Sequence, residues 1–203
     1  MSNSPVIVGI DEAGRGALAG PVVAGACILN EEMISNPLIK DSKILSPEKR
    51  EEAFEWIKEN CIFGIGSADA TKVDREGILT ATESAMQEAV ANLAKKKKPS
   101  YLIVDGRDKF WFDYPHSAVI KGDTKEACIS AASIVAKVTR DKLMIEYSYE
   151  FPDYSFEVHK GYGTELHQQC ILKHGPCSLH RQTFIKNLLT VSSSLTRTKG
   201  TRQ

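Results

Sequence analysis

Carboxylates that fall where apolar runs stop are the residues of this chain best placed to do chemistry. Asp11 and Glu12 end the β-branched run 6–10, and Asp105 ends the run 101–104. Open α/β sheets bind their ligands in the crevice at the carboxyl ends of strands, so two parallel neighbours ending here would bring Asp11 and Asp105 together. Glu12 would face the other way by strand alternation, but the glycine-rich turn after it lets the chain bring it round. Asp141, on a long helical pattern just after Lys137 and Arg140, is a fourth candidate. Gathered carboxylates repel one another and generally hold a cation. An all-oxygen donor set without a nearby His or Cys suits Mg²⁺ or Mn²⁺ better than zinc. Two such ions can flank a phosphodiester, one activating water and the other stabilising the leaving oxygen. The same residue types also serve as turn signals and as acids on a solvated helix face, and spacing alone leaves both readings open.

Three further constellations stand beside the acids. The segment 14–20, Gly-Arg-Gly-Ala-Leu-Ala-Gly, has its third glycine four residues after the second and returns to a strand-like run at Pro21. It therefore departs from the dinucleotide fingerprint, which needs three residues and a following helix. A loop whose N–H groups and Arg15 face a phosphate or sugar fits better. In 160–163, Lys-Gly-Tyr-Gly, the aromatic Tyr162 could stack on a sugar or base while Lys160 meets a phosphate. A glycine turn with a packed tyrosine is the alternative. Cys170, His174, Cys177 and His180 are zinc-ligand types, but their spacing matches no familiar zinc pattern, and a reduced, partly buried cysteine pair with surface histidines is the favoured reading.

The elements that must position these residues alternate in type. Strands are predicted at 6–10, 21–29, 62–68, 101–104 and 118–120. Helices are predicted at 47–60, opened by Ser46 and Pro47, and at 78–93, about 124–147, 165–173 and 181–189. The long helix is small-sided from Ala127 to Ala136, so it can lie close against a sheet. Residues 191–203 are rich in Ser, Thr and basic side chains and are expected to form a flexible tail. The pattern is α/β with a mixed central sheet. Residues 1–190 are expected to form one catalytic domain that includes a basic helical segment, about 159–190.

The chain has 203 residues, with 26 Lys plus Arg and 26 Asp plus Glu, so its formal charge is zero. Neutrality argues against a nucleic-acid partner until the distribution is considered. From His159 onward there are seven basic residues and one acid, Glu165, so this part carries +6 and residues 1–158 carry −6. Five cysteines without framework spacing, and an opening segment unlike a signal peptide, predict reduced thiols and a cytoplasmic location. No apolar run approaches the roughly 18 residues of a membrane span, so no membrane partner is expected. A monomer is expected.

Taken together these motifs resemble ribonuclease HII, the bacterial type 2 ribonuclease H. The likeness runs from about Val6 to Phe184 and rests on Gly9-Ile10-Asp11-Glu12-Ala13-Gly14-Arg15-Gly16, Asp41-Ser42-Lys43, Val104-Asp105-Gly106 and Lys121-Gly122-Asp123. It continues through 131–141, Lys160-Gly161-Tyr162-Gly163-Thr164 and His180-Arg181. The resemblance implies a ribonuclease H-like fold with a small helical C-terminal segment, and a Mg²⁺- or Mn²⁺-dependent endonuclease. Its implied partners are RNA/DNA hybrids and DNA duplexes containing ribonucleotides, with incision 5′ to a single ribonucleotide leaving 3′-hydroxyl and 5′-phosphate ends. Asp11, Glu12, Asp105 and Asp141 are the implied metal-binding catalytic acids. Gly14, Arg15 and Gly16 would sense the ribose 2′-hydroxyl, and Tyr162 would pack on the sugar of the next deoxynucleotide. Lys43, Lys121, Lys160 and Arg181 are the implied substrate-binding cations. The related type HIII carries an extra N-terminal domain and lacks the Gly-Arg-Gly form, so type HII is expected. Ser178-Leu179 and Gln182-Thr183 depart from the usual residues of the family and put one phosphate contact in doubt. The rival reading is a non-enzymatic, zinc-stabilised nucleic-acid-binding module.

Overall fold

A computed structural model of the chain describes residues 5–30, 32–39 and 45–198. A five-stranded mixed sheet lies at its centre, in the spatial order β3 (Ile62–Ala68), β2 (Val22–Ile28), β1 (Ile7–Ala13), β4 (Tyr101–Asp105), β5 (His116–Val119). The first three strands form an antiparallel meander, while β1, β4 and β5 run parallel. Strand β1 is longer than its apolar run because β2 continues to pair with it, Asp11 opposite Gly25 and Glu12 opposite Ala24.

Helix α1 (Pro47–Asn60) starts where Ser46 Oγ accepts from the Lys49 N–H at 3.3 Å. It buries Phe54 and Ile57 against α4 (Ala127–Glu150), which covers the same sheet face. Contact is close: a Cβ added at Gly9 or Gly25 would lie 2.2 Å or 2.4 Å from the α4 backbone, so a side chain at either position would push the helix off the sheet. Helix α3 (Ile78–Ala94) packs on the other face through Ala81, Ala85, Met86, Ala89 and Leu93, over Val8, Ile10, Leu102 and Val104. The inward residues of β1 and β4 therefore alternate, with Ile10 and Val104 facing α3 and Asp11 and Asp105 facing α4.

Helix α2 (Ala70–Glu76) is absent from the sequence reading because seven residues are too few to show a helical period. Asp69 caps it, and Asp74 in turn caps α7 (Gln182–Thr198), accepting from Gln182 N at 2.7 Å, Thr183 N at 2.9 Å and Thr183 Oγ1 at 2.6 Å. The unusual Gln182-Thr183 pair thus docks on α2. Burial works against the Asp74 charge, but these donors hold its carboxyl below its usual value. Helix α7 runs to Thr198, past the predicted end at 189 and into the expected tail; no Gly or Pro interrupts 182–199. Between these elements lie α5 (Phe156–His159) and α6 (Glu165–His174), the latter capped by Thr164. Among the described residues no helix is long and apolar enough to cross a membrane.

Candidate active site

Parallel pairing of β1 with β4 sets Ile10 beside Val104, and so sets Asp11 beside Asp105 at the carboxyl ends of both strands. The Gly122 N–H donates to Asp105 Oδ1 at 2.6 Å, and Ser130 Oγ of α4 donates to the Asp123 carbonyl at 2.7 Å. These two bonds bring the 3₁₀ turn Gly122–Thr124, with Asp123, onto the same point. One ligand oxygen from each of Asp11, Asp105 and Asp123 falls within 4.8 Å of the others, the one such group among the described residues. Asp11 and Asp123 are each only 4% exposed.

Burial drives the Asp11 carboxyl well above its ordinary value, and the charges of Glu12 and Asp105 push it further; Ser133 and the Glu12 N–H at 2.7 Å only partly offset this. Burial also raises Glu12, against the pull of Arg15, with Asp105 and Asp108 adding to the rise. Arg15 reaches Asp108 at 2.7 Å and Glu12 at 3.4 Å. The cleft, about 290 Å³, is walled by Asp11, Glu12, Arg15, Asp105, Lys137 and Tyr162, with Gly14 and Gly16 at its rim. Three crowded carboxylates, two of them nearly dry, fit a hard divalent cation, which would relieve the repulsion that holds Asp11 toward its neutral form.

The fourth acid is corrected. Asp141 lies outside the cluster because it is a turn further along α4, paired with Lys137 at 2.8 Å. Asp123 takes the place beside Asp11 and Asp105. Its signal was the Lys121-Gly122-Asp123 motif, which spacing from the strands could not interpret because the turn folds back over Asp105.

Arg181 is a second correction. It is fully buried, with no exposed surface to offer a phosphate, and donates to the carbonyls of Gly14 at 2.8 Å, Arg15 at 2.9 Å and Gly20 at 2.8 Å. Burial and the neighbouring Arg140 lower it to about 10. Arg140, which sequence reasoning passed over, is equally buried and donates to Pro21, Ala19 and Lys160 carbonyls. Gly14 has φ 88° and a Cβ there would lie 1.8 Å from Arg140 Nε, so only glycine lets the loop close on that guanidinium. Two arginines thus hold the glycine loop from beneath, and Leu18 N donates to the Gly161 carbonyl at 2.8 Å to tie it to the Tyr162 turn.

The Tyr162 ring lies under two cations, Arg140 at 5.1 Å and Lys137 at 5.4 Å from its centroid. Lys121 is exposed on the turn that carries Asp123, and the half-buried Lys160 gives its ammonium to the Glu157 carbonyl. Lys43 lies outside the described residues. The zinc set does not converge among the described residues: His174 is 3.8 Å from Asp153, and the ring nitrogens of His180 contact His167 and Cys177.

Residues 8–187 match the family model described as Ribonuclease HII. The ribonuclease HII of Geotalea uraniireducens (strain Rf4) is 49% identical over 179 residues, covering 88% of this chain and 82% of that protein. The crystal structure of the ribonuclease H2 from Pyrococcus horikoshii OT3 superposes with a TM-score of 0.75 at 24% identity, covering 92% of this chain and 98% of that one. The crystal structure of Bst-RNase HIII in complex with Mn²⁺ gives 0.74 at 18% identity, covering 94% of this chain and 71% of that one. At these identities the two structures speak for a shared ribonuclease H-like fold.

Proposed function

This chain belongs to the ribonuclease HII family, endonucleases that degrade the RNA of RNA/DNA hybrids, and from that premise we propose that it also incises DNA duplexes 5′ to a single embedded ribonucleotide. The observation that carries the reading is the carboxylate cluster of Asp11, Asp105 and Asp123, of which Asp11 and Asp105 line one cleft with Arg15 and Tyr162. An all-oxygen donor set, and a neighbour of the same fold, Bst-RNase HIII, solved in complex with Mn²⁺, support Mg²⁺ or Mn²⁺ as the cofactor, with two ions expected when substrate is present.

In this mechanism Asp11, Asp105 and Asp123 would hold the ions, with Glu12 at the edge of the same cleft. Bound there, divalent cations supply an activated water and charge stabilisation at the leaving 3′-oxygen. Water adds to phosphorus as the P–O3′ bond breaks, leaving a 3′-hydroxyl and a 5′-phosphate. Gly14 and Gly16 bring their backbone, and Arg15 its guanidinium, to the ribose 2′-hydroxyl, the group that separates RNA from DNA. Arg15 is preset for this by Asp108 and Glu12. Tyr162 packs its ring on the sugar of the following deoxynucleotide, and Lys137 at the cleft wall faces the phosphate charge. Such incision belongs to the removal of ribonucleotides from DNA in the cytoplasm, by a monomer.

The test is a DNA duplex bearing one ribonucleotide, incubated with the protein and Mg²⁺, Mn²⁺ or EDTA. Metal-dependent incision on the 5′ side of that ribonucleotide is expected. Cleavage confined to continuous hybrids would overturn the single-ribonucleotide reading, and cleavage in EDTA would overturn the metal one.

A further inference from the structure

Three buried histidines, His159, His167 and His180, lie beneath the Tyr162 turn, and their partners allow one arrangement of protons. The Cys177 N–H donates to His180 Nδ1 at 2.9 Å, so the proton of neutral His180 is on Nε2. That Nε2 is 3.0 Å from His167 Nε2 and donates to it, which places the His167 proton on Nδ1. His167 Nδ1 is 3.0 Å from the Tyr162 carbonyl oxygen, which can only accept. His159 stacks on His167, with centroids 4.2 Å apart and planes at 16°. It accepts from the Gly161 N–H at 3.1 Å and donates to the Tyr154 carbonyl at 2.8 Å. A directed relay therefore runs from the main chain at Cys177, ahead of α7, through two imidazoles to the main chain of Tyr162. An extra proton on His167 would set its Nε2–H against that of His180 across 3.0 Å, and one on His180 would set its Nδ1–H against the Cys177 N–H across 2.9 Å.

The Tyr162 carbonyl also accepts from Thr164 N at 2.8 Å, and the Tyr162 N–H donates to the His159 carbonyl at 3.0 Å. The backbone carrying the ring is thus held on both sides, while the ring itself opens to the carboxylate cleft. We propose that His167 is a positioning residue for Tyr162, with His180 fixing the His167 tautomer so that its Nδ1–H holds the Tyr162 carbonyl. The inference rests on the proposed reading of Tyr162 at the RNA-to-DNA junction.

Two substitutions in the full chain separate positioning from packing. His167→Asn places an amide donor near Nδ1 and keeps the bond to Tyr162 while losing that to His180. His167→Gln reaches the Nε2 position and keeps His180 while losing Tyr162. Both remove a buried ring, so their thermal midpoints should fall together. Positioning predicts that Asn stays within about threefold of the wild-type kcat at a single ribonucleotide. Gln should lose about tenfold, roughly one hydrogen bond to a fixed carbonyl. KM and cleavage of continuous hybrid should match between the two variants. Equal losses, or a greater loss in Asn, would overturn the proposal.

A second measurement needs no activity. In ¹⁵N-histidine spectra His167 should carry its proton on Nδ1 and His180 on Nε2, and with ¹³C-tyrosine the Tyr162 ring signal should move in Gln and hold in Asn. The opposite tautomers, or equal Tyr162 signals in the two variants, would reject the relay. If the wild-type chain does not cut at a single ribonucleotide, the junction reading fails, and these spectra still decide whether His167 positions Tyr162.

Discussion

Asp11 is the residue at which folding and catalysis pull hardest against each other. It is nearly dry, bounded by two other carboxylates, and its carboxyl is raised well above the ordinary value of 3.8 by burial first and by Glu12 and Asp105 next. Above that ordinary value the unfolded chain gives up the Asp11 proton while the folded chain keeps it. Stability therefore falls as pH rises through this window, and stays lower once the folded value is passed. Asp11→Asn should raise the thermal midpoint of the metal-free protein at pH 7, by about 2–4 °C for each kcal/mol relieved, with the gain shrinking toward pH 4. It should also abolish cleavage and most of the stabilisation that Mg²⁺ or Mn²⁺ gives. A lower midpoint at pH 7 would reject this account. Asp123 and Asp141 divide the remaining question. Asp123→Asn should reduce kcat by about 10²-fold or more, the scale of losing a preorganised electrostatic group, whereas Asp141→Asn, which removes the Lys137 ion pair, should leave kcat within about fivefold. Comparable losses in both variants would return Asp141 to the machinery.

At the scale of elements, the site depends on how closely α4 lies on the sheet. Asp11 and Asp105 share its face, Ser133 and Lys137 come from it, and Ser130 pins the Asp123 turn to it. Gly25→Ala would drive a Cβ to 2.4 Å from the Ala132 carbonyl oxygen, so the helix must shift. Overpacking of this kind costs about 1–3 kcal/mol, and urea unfolding should register it together with weakened metal binding. An unchanged urea midpoint would mean that α4 yields freely. This close packing was legible from the small side chains between Ala127 and Ala136, and α1 and β3 ended where Ser46, Pro47 and the residues 62–68 predicted. What stayed hidden depends on distant partners. The meeting of Asp11 and Asp105 was legible only on the condition that their strands are parallel neighbours, and that condition is set by the long-range pairing of Ile7 with Tyr101 through Ile10 with Val104. Asp123 reaches the cluster through a turn held by Gly122 N and Ser130, neither of which has a periodicity to read. The family resemblance gives Arg181 a substrate-binding role, yet its partners are carbonyls more than 160 positions away, which no local pattern could show.

Across the whole molecule, the neutral sum hides an uneven distribution, and the structure redistributes it again. The +6 that the sequence places after residue 158 counts Arg181, which is buried, and Lys160, whose ammonium is turned to Glu157. Fewer of those charges are free to meet phosphates than the count implies. The cations at the mouth of the cleft, Arg15 and Lys137, come instead from the acidic part of the chain, each already paired with a carboxylate, and Lys121 is exposed at the start of the turn that carries Asp123. Each cation that meets a phosphate releases about 0.9 of a counterion and adds about that much to the slope of log affinity against log salt. In a cleavage-dead Asp11→Asn background, Lys121→Gln should therefore lower the salt slope for hybrid binding by about 1. Arg181→Gln should leave that slope unchanged. It should instead lower stability by about 3 kcal/mol, because a buried guanidinium bonded to carbonyls acts on the fold, and the loss appears in urea and not in salt. A reduced salt slope in Arg181→Gln with an unchanged urea midpoint would return that arginine to the substrate surface.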